Sequence, residues 1–211
     1  MRGQGSVSLS GELRRSLQQA AEKYHSQLGP AVPYLMARGV TQETAATHLL
    51  GYVQEPEIGH EQYRGRLAIP YITPSGVIDI RFRALDSDEG AKYLTRPGAS
   101  SHMYNVPAFQ EDVDVIAICE GEFDTMIASQ CGVTAVGIAG ANNWKDWYHR
   151  AFRDYRRVLV LTDGDSAGRE LGKRIAQQID VAVVVPMPDG QDVNEFVQAH
   201  GAQALRDRVG L

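Results

Sequence analysis

One ten-residue stretch constrains this chain more than any other: Val115-Ile116-Ala117-Ile118-Cys119-Glu120-Gly121-Glu122-Phe123-Asp124. Its small and β-branched apolar run is too short for a buried helix and reads as an inner strand of a parallel sheet. The run ends abruptly in acid. That places Glu120 at the strand's carboxyl end, where open α/β sheets present their ligands. Gly121 permits a tight exit, and residues 122–130 read as the following helix, with Phe123, Met126 and Ile127 on one side. The pattern recurs downstream. Val158-Leu159-Val160-Leu161-Thr162 is a second buried strand, ending in Asp163-Gly164-Asp165, and Ser166-Ala167-Gly168 leads into a helix to about Gln178. Two strand ends carrying carboxylates into one crevice suit a divalent cation such as Mg²⁺, which takes hard oxygen ligands and completes its shell with water and substrate phosphate.

Charge is divided unevenly along the 211 residues. Residues 1–111 hold 11 Lys+Arg and 11 Asp+Glu, whereas residues 112–198 hold 8 and 14, so the net charge of −5 sits in the half with the strand-end acids. Acids that repel phosphate attract it once metal ions occupy them. Cys119 and Cys131 are the only cysteines, too few for a disulfide framework or a zinc ribbon, and Cys119 reads as a small core residue. The six histidines lack metal-ligand spacing. No apolar run is long enough to span a bilayer and no signal-peptide core is present, so a cytoplasmic protein without membrane contact is expected.

The flanks organise themselves around this centre. Residues 1–10 are Gly- and Ser-rich and are expected to be a flexible N-terminus. Ser10 suits the N-cap of a helix from Gly11 to about Leu28, with Leu13, Leu17, Ala20, Ala21, Tyr24 and Leu28 on one face. Short helices follow over 31–38 and, from an N-cap at Thr41, to about Leu50. Residues 67–72 and 77–83 read as a β-hairpin around Thr73-Pro74-Ser75-Gly76, with Ile78, Ile80 and Phe82 on one face and Asp79, Arg81 and Arg83 on the other. Residues 86–90 form an acidic loop, and 91–94 a further strand. From 112 the order is strand 114–120, helix 122–130, strand 133–138, helix 143–152, strand 157–162, helix 166–178, strand 181–185 and helix 192–199. That alternation predicts a mainly parallel sheet flanked by helices. Trp144 and Trp147 share the helix expected at 143–152 and read as packing residues.

The ordered set Glu120-Gly121-Glu122-Phe123-Asp124, Asp163-Gly164-Asp165-Ser166-Ala167-Gly168 and Asp189-Gly190-Gln191-Asp192-Val193-Asn194-Glu195-Phe196-Val197 resembles the TOPRIM domain of primases, topoisomerases and related nucleic-acid enzymes. Upstream, Tyr34 to Thr41, Leu50-Gly51-Tyr52-Val53, Gly65 to Tyr71 and Lys92-Tyr93-Leu94 resemble the basic subdomain of bacterial and phage replicative primases. Together the resemblances imply an α/β fold: a TOPRIM sheet at 112–199, preceded at 11–111 by a smaller α+β basic subdomain and followed at 200–211 by a tail or helix.

The resemblance also implies a chemistry, that of a primase catalytic core making short RNA primers on a single-stranded DNA template. A 3′-OH attacks the α-phosphate of an NTP, with two Mg²⁺ or Mn²⁺ ions at the site. Asp163, Asp165 and Asp192 would bind the ions, with Asp124 a further ligand, and Glu120 would act at the metal or as general base. Arg66, Arg81, Arg83 and Lys92 would hold nucleotide phosphates or the template backbone. Three departures stand out. The family's zinc-binding module and helicase-contacting domain have no counterpart here, so a separate zinc module and a replicative helicase are the expected partners. Asn194 stands where the family often has a second acid. Residues 93–111 contain no lysine to match the family's second one.

Plainer readings exist for the same residues: Asp163 or Asp165 and Asp192 also suit helix caps, and the basic residues a solvated strand face. At the level of function the alternatives are a TOPRIM nuclease that hydrolyses phosphodiesters and a non-catalytic DNA-binding module. The primase-like segments favour polymerisation over the first, and Glu120, Asp163 and Asp165 together argue against the second.

Overall fold

The computed structural model describes residues 10–86 and 90–211. The flexible segment expected at 1–10 lies outside the described residues save for Ser10, and the acidic loop expected at 86–90 is described only at its two ends. The chain divides into two compact units. One comprises residues up to Val32 together with Leu49–Ala99, the other Pro33–His48 with Ser100–Leu211. The segment 33–48, placed by sequence with the N-terminal subdomain, therefore belongs to the second unit. Its ties are specific: Gln130 accepts hydrogen bonds from the Thr41 N–H and the Thr44 hydroxyl and donates to the Gly39 carbonyl.

In the first unit, helix α1 (Gly11–Ser26) starts where Ser10 accepts a hydrogen bond from the Leu13 N–H at 3.1 Å. Its apolar face, Leu17, Ala20, Ala21 and Tyr24, packs on Ala68, Val77, Ile80 and Phe82. Helices α2 (Val32–Ala37) and α3 (Gln42–Thr47) follow in the chain but, from Pro33 on, belong to the second unit, α3 being capped by Thr41 as its sequence suggests. An antiparallel sheet of β1 (Gly51–Tyr52), β2 (Leu67–Thr73), β3 (Gly76–Arg83) and β4 (Tyr93–Thr95) runs in that spatial order. The hairpin forms, but its alternation is broken. Tyr71 pairs with Asp79 and Ile72 with Val77, so Ile78 is a bulged residue and only half-buried, while Ile80 and Phe82 are fully buried.

The opposite face of β3 is covered rather than solvated. Asp79 is 6% exposed and holds the Arg96 guanidinium at 2.9 Å. Removing one partner of a covered ion pair strands the other charge. Asp79→Ala is therefore expected to cost about 3 kcal/mol in urea denaturation, and a loss below about 0.5 kcal/mol, the size of an ordinary surface substitution, would show that solvent reaches Arg96 freely.

The second unit carries the alternating half. Strand β5 (Met103–Tyr104) precedes β6 (Val115–Cys119), α4 (Glu122–Gln130), β7 (Ala135–Ile138), β8 (Arg157–Thr162), α5 (Ser166–Ala176), β9 (Ala182–Pro186) and α6 (Val193–Val209), which kinks at Gly201. The sheet order is β5-β7-β6-β8-β9. All pairings are parallel except β5 with β7, a two-residue edge strand that the sequence did not signal. The helix expected at 192–199 runs on to Val209.

The helix expected at 143–152 is instead a pair of 3₁₀ segments, Ala141–Asn143 and Asp146–Phe152. Trp144, Tyr148 and Phe152 recur at α-helical spacing and do enter the core, but Tyr148 closes its backbone bond three residues back, on the Lys145 carbonyl. The longer rise of a 3₁₀ helix suits this crossover. Seven residues cover about 14 Å, against about 10 Å in an α-helix, close to the roughly 16 Å height of a five-residue strand.

Candidate active site

Parallel register sets the site. Cys119 of β6 lies opposite Leu161 of β8, so Glu120 and Asp163 leave neighbouring strand ends together. The two are then tied directly: the Asp163 N–H donates to Glu120 Oε1 at 3.0 Å. The loop after β9 is zipped onto the same place. The Met187 N–H donates to the Thr162 carbonyl at 2.8 Å, and the Gly164 N–H to the Gln191 carbonyl at 2.9 Å. This delivers Asp192 to the first turn of α6, where its Oδ1 accepts from the Glu195 N–H at 2.7 Å in a reciprocal capping box. Asp165 caps α5 through one oxygen, accepting from the Gly168 N–H at 2.8 Å. The capping readings are thus correct for Asp165 and Asp192. Each cap engages a single carboxylate oxygen, so capping and a second role are compatible. Asp163 makes no such cap.

Asp124, on the first turn of α4, is buried and accepts from the Asn194 N–H at 3.1 Å. Asn194 itself is fully committed to structure: its amide donates to the Arg38 carbonyl at 2.6 Å and its carbonyl accepts from Gln198 at 2.9 Å.

The electrostatics are one-sided. Burial raises the Glu120 carboxyl above its ordinary value; the Asp163 N–H opposes this, and Asp165 and Asp124 add to it. Burial likewise raises Asp124, with Asp192 and Asp163 reinforcing the shift. Asp163 is pushed up to about 7 by burial and then by Glu120, Asp192, Asp165 and Glu195. Among the described residues the charges that bear on Asp163 are carboxylates, and its Oδ1 is buried without a hydrogen-bond partner. Among the described residues no three His, Cys, Asp or Glu side chains form a ready-made ion cage. The five acids share a field, not a closed coordination shell. That donor set fits Mg²⁺, which keeps several waters and takes one or two carboxylates plus phosphate oxygens.

The predicted basic residues all lie in the first unit, and only Lys92 of the four is solvated. Arg66 and Arg83 are buried. Arg66 donates to the Ala91 carbonyl at 2.8 Å. Arg83 donates to the Tyr93 hydroxyl, and Arg81 lies over the Tyr93 ring at 3.9 Å. Lys92 is exposed. Tyr93 therefore organises the two arginines of β3, a role the strand alternation did not reveal.

The Toprim domain family matches residues 115–203. The Gene 57 protein of Mycobacterium phage D29 is 42% identical over 152 residues, covering 70% of this chain and 99% of that protein. The DNA primase of Enterococcus faecalis is 26% identical, over 92% of this chain and 40% of the enzyme. A DNA primase domain from Pseudomonas aeruginosa superposes with a TM-score of 0.77 at 25% identity, over 94% of this chain and 78% of that one. The chain belongs to the bacterial and phage primase catalytic-core family. It spans 40% of the length of the Enterococcus faecalis primase and 35% of that of the Pseudomonas aeruginosa enzyme.

Within this primase core, two site residues escaped the sequence reading. Among the described residues Gln191 Oε1 is buried without a hydrogen-bond partner, and the Gln191 backbone carbonyl holds Gly164 beside the acids. Gly168 leaves no space for a side chain: a Cβ there would stand 2.4 Å from the Asp163 carbonyl and 2.6 Å from Glu120 Oε1. The motif spelling contains both residues, but not the closeness that gives them their importance. The expectation for the tryptophans holds for Trp144, which is 5% exposed, and fails for Trp147, which is 58% exposed.

Proposed function

We propose that this chain is the catalytic core of a primer-synthesising RNA polymerase, joining NTPs on a single-stranded DNA template. The observation that carries the proposal is the convergence of acids within a family of primase cores: Glu120 and Asp163 leave adjoining strand ends joined by the Asp163 N–H bond to Glu120, and Asp124 on the first turn of α4 adds to the same field of carboxylates. Asp163, Asp165 and Asp192 would hold divalent cations, with Asp124 contributing from the first turn of α4. Such ions, when bound, stabilise the attacking and leaving oxygens of phosphoryl transfer. Glu120 serves as the proton acceptor near the attacking 3′-OH. Its raised carboxyl is suited to that task, since a general base works best with its pKa drawn toward the operating pH. Arg81, Arg83 and Lys92, with Arg66 behind them, are assigned to triphosphate or template phosphates. Arg83 acts there from a buried position set by Tyr93.

The domain division follows the same proposal: 112–199 as the TOPRIM catalytic part and 11–111 as the basic part, with segments 33–48 and 100–111 packed in the unit of the former. A separate zinc-binding module and a replicative helicase are the proposed partners for template choice and coupling. The test is primer synthesis on single-stranded DNA with labelled NTPs and Mg²⁺ or Mn²⁺. Short RNA products from the purified chain, absent in Glu120→Gln, are expected. Metal-dependent degradation of the DNA without synthesis would replace the polymerase by a nuclease.

A further inference from the structure

The crossover between β7 and β8 has a surface unlike the rest of its unit. Five of the eight Lys and Arg residues between 112 and 198 fall within 145–157: Lys145, Arg150, Arg153, Arg156 and Arg157, against two acids, Asp146 and Asp154. In a 3₁₀ helix residues three apart eclipse one another. Trp147, Arg150 and Arg153 therefore form one outward line, and all three are exposed. Among the described residues no carboxylate pairs with Arg150 or Arg153.

The indole is also held in place. Trp147 meets the buried Tyr148 ring edge-on, with centroids 4.5 Å apart, and Lys145 Nζ lies 5.8 Å from its centre. Lys145 is itself anchored by donating to the Ser101 carbonyl at 2.5 Å. The crossover that carries the line has a direction. It leaves the acidic rim at Gly140, whose N–H donates to the Glu120 carbonyl at 2.9 Å, and enters β8 at Arg157, opposite Val115. A polynucleotide leaving the carboxylates down this flank would meet cations at its phosphates and an exposed, fixed aromatic face at its bases. That pairing of charge and stacking surface is what unpaired strands need; a duplex offers its phosphates but keeps its bases stacked.

We propose that Trp147, Arg150 and Arg153 form a contact for single-stranded DNA, separate from the carboxylate site and from the basic strand face of the first unit. The contact deepens the primase reading and rests on it only for the template being DNA.

The test is equilibrium binding of a fluorescently labelled oligodeoxythymidine to the full chain, without nucleotides or metal, so that it does not depend on catalysis. Trp147→Ala is expected to weaken binding about 5- to 10-fold, the loss of one stacked base. Arg150→Ala is expected to weaken it and lower the slope of log affinity against log salt by about one. Unlabelled oligomer should quench tryptophan emission in the wild type. It should not do so in Trp147→Phe, which retains only the buried Trp144. Circular dichroism establishes that each variant is folded. Unchanged affinity and salt slope in both alanine variants would overturn the proposal, as would absence of binding by the wild type. If only an oligouridine of equal length distinguished wild type from variants, the template assignment would be overturned in favour of the RNA product. Failure of primer synthesis with these binding effects intact would reject the polymerase reading and leave the contact standing.

Discussion

Asp163→Asn is expected to reduce primer synthesis by roughly 100- to 1000-fold, the scale of losing one electrostatic stabiliser at a reaction centre, while making the metal-free protein more stable. The two effects share a cause. The Asp163 carboxyl rises from 3.8 to about 7 in the folded chain. Below about pH 3.8 it is protonated whether the chain is folded or not, and costs nothing. As pH rises through about 7 the folded state must carry the charge among Glu120, Asp192 and Asp165, and stability is lost. Asparagine carries no charge at any pH, so the gap between variant and wild type opens between about pH 4 and 7 and is full above 7. Taken at face value the shift corresponds to about 4 kcal/mol. Asp163 is only partly covered, and solvent screening reduces this to roughly 1–2 kcal/mol. That corresponds to a melting point raised by about 2–8 °C for a chain of this size.

Thermal melts in chelator at pH 8 and pH 5 check it: the variant should be the more stable at pH 8, with the difference shrinking at pH 5. Burial holds His48 down to about 4. It therefore pulls the other way, losing stability as pH falls from about 6.5 to 4, but it does so in both proteins and cancels in the comparison. Added Mg²⁺ should raise the wild-type melting point more than that of the variant. Equal or lower stability of Asp163→Asn at pH 8 would show that the acids do not oppose one another and would remove the electrostatic case for a cation.

The acids were legible in the sequence for a physical reason. A five-residue apolar strand that ends in acid has few alternatives in a parallel sheet, and Glu120 and Asp163 fall at the tips whatever the rest of the chain does. The helix caps at Ser10, Thr41, Asp165 and Asp192 were equally local. What could not be read depends on contacts between distant segments. Period-two alternation assigned Arg81, Arg83 and Asp79 to one face, but it says nothing of what covers that face, and Tyr93 and Arg96 do. It also has no means of seeing the bulge at Ile78. The spacing of Trp144, Tyr148 and Phe152 identified a buried stripe but not its 3₁₀ winding, and the winding is what turns Trp147 outward. Strand β5 has two residues, too few to carry a pattern.

Gly168 stands against both Glu120 and Asp163, and Gly168→Ala is the second large effect expected. The residue opens α5, and its N–H is the one that Asp165 caps. Elsewhere in an exposed helix the same change stabilises, because alanine is the better helix former. Here the added methyl would meet the Asp163 carbonyl at 2.4 Å, Glu120 Oε1 at 2.6 Å and the Asp163 nitrogen at 2.9 Å. Two of those three atoms are backbone, which cannot swing aside. Either α5 moves off the sheet or Glu120 gives up its bond from the Asp163 N–H. Overpacking of this kind costs about 1–3 kcal/mol, more than the roughly 1 kcal/mol gained in helix propensity. The variant should therefore melt several degrees lower and lose primer synthesis by about 100-fold, since both carboxylates are displaced together. Gly168→Ser, with the same Cβ, should behave alike, whereas Gly29→Ala, where a Cβ meets nothing within 4 Å, should leave activity unchanged. An active, undestabilised Gly168→Ala would mean that the Asp163 turn yields without disturbing Glu120, and that the close approach of α5 to these two strand ends is not what aligns the acids.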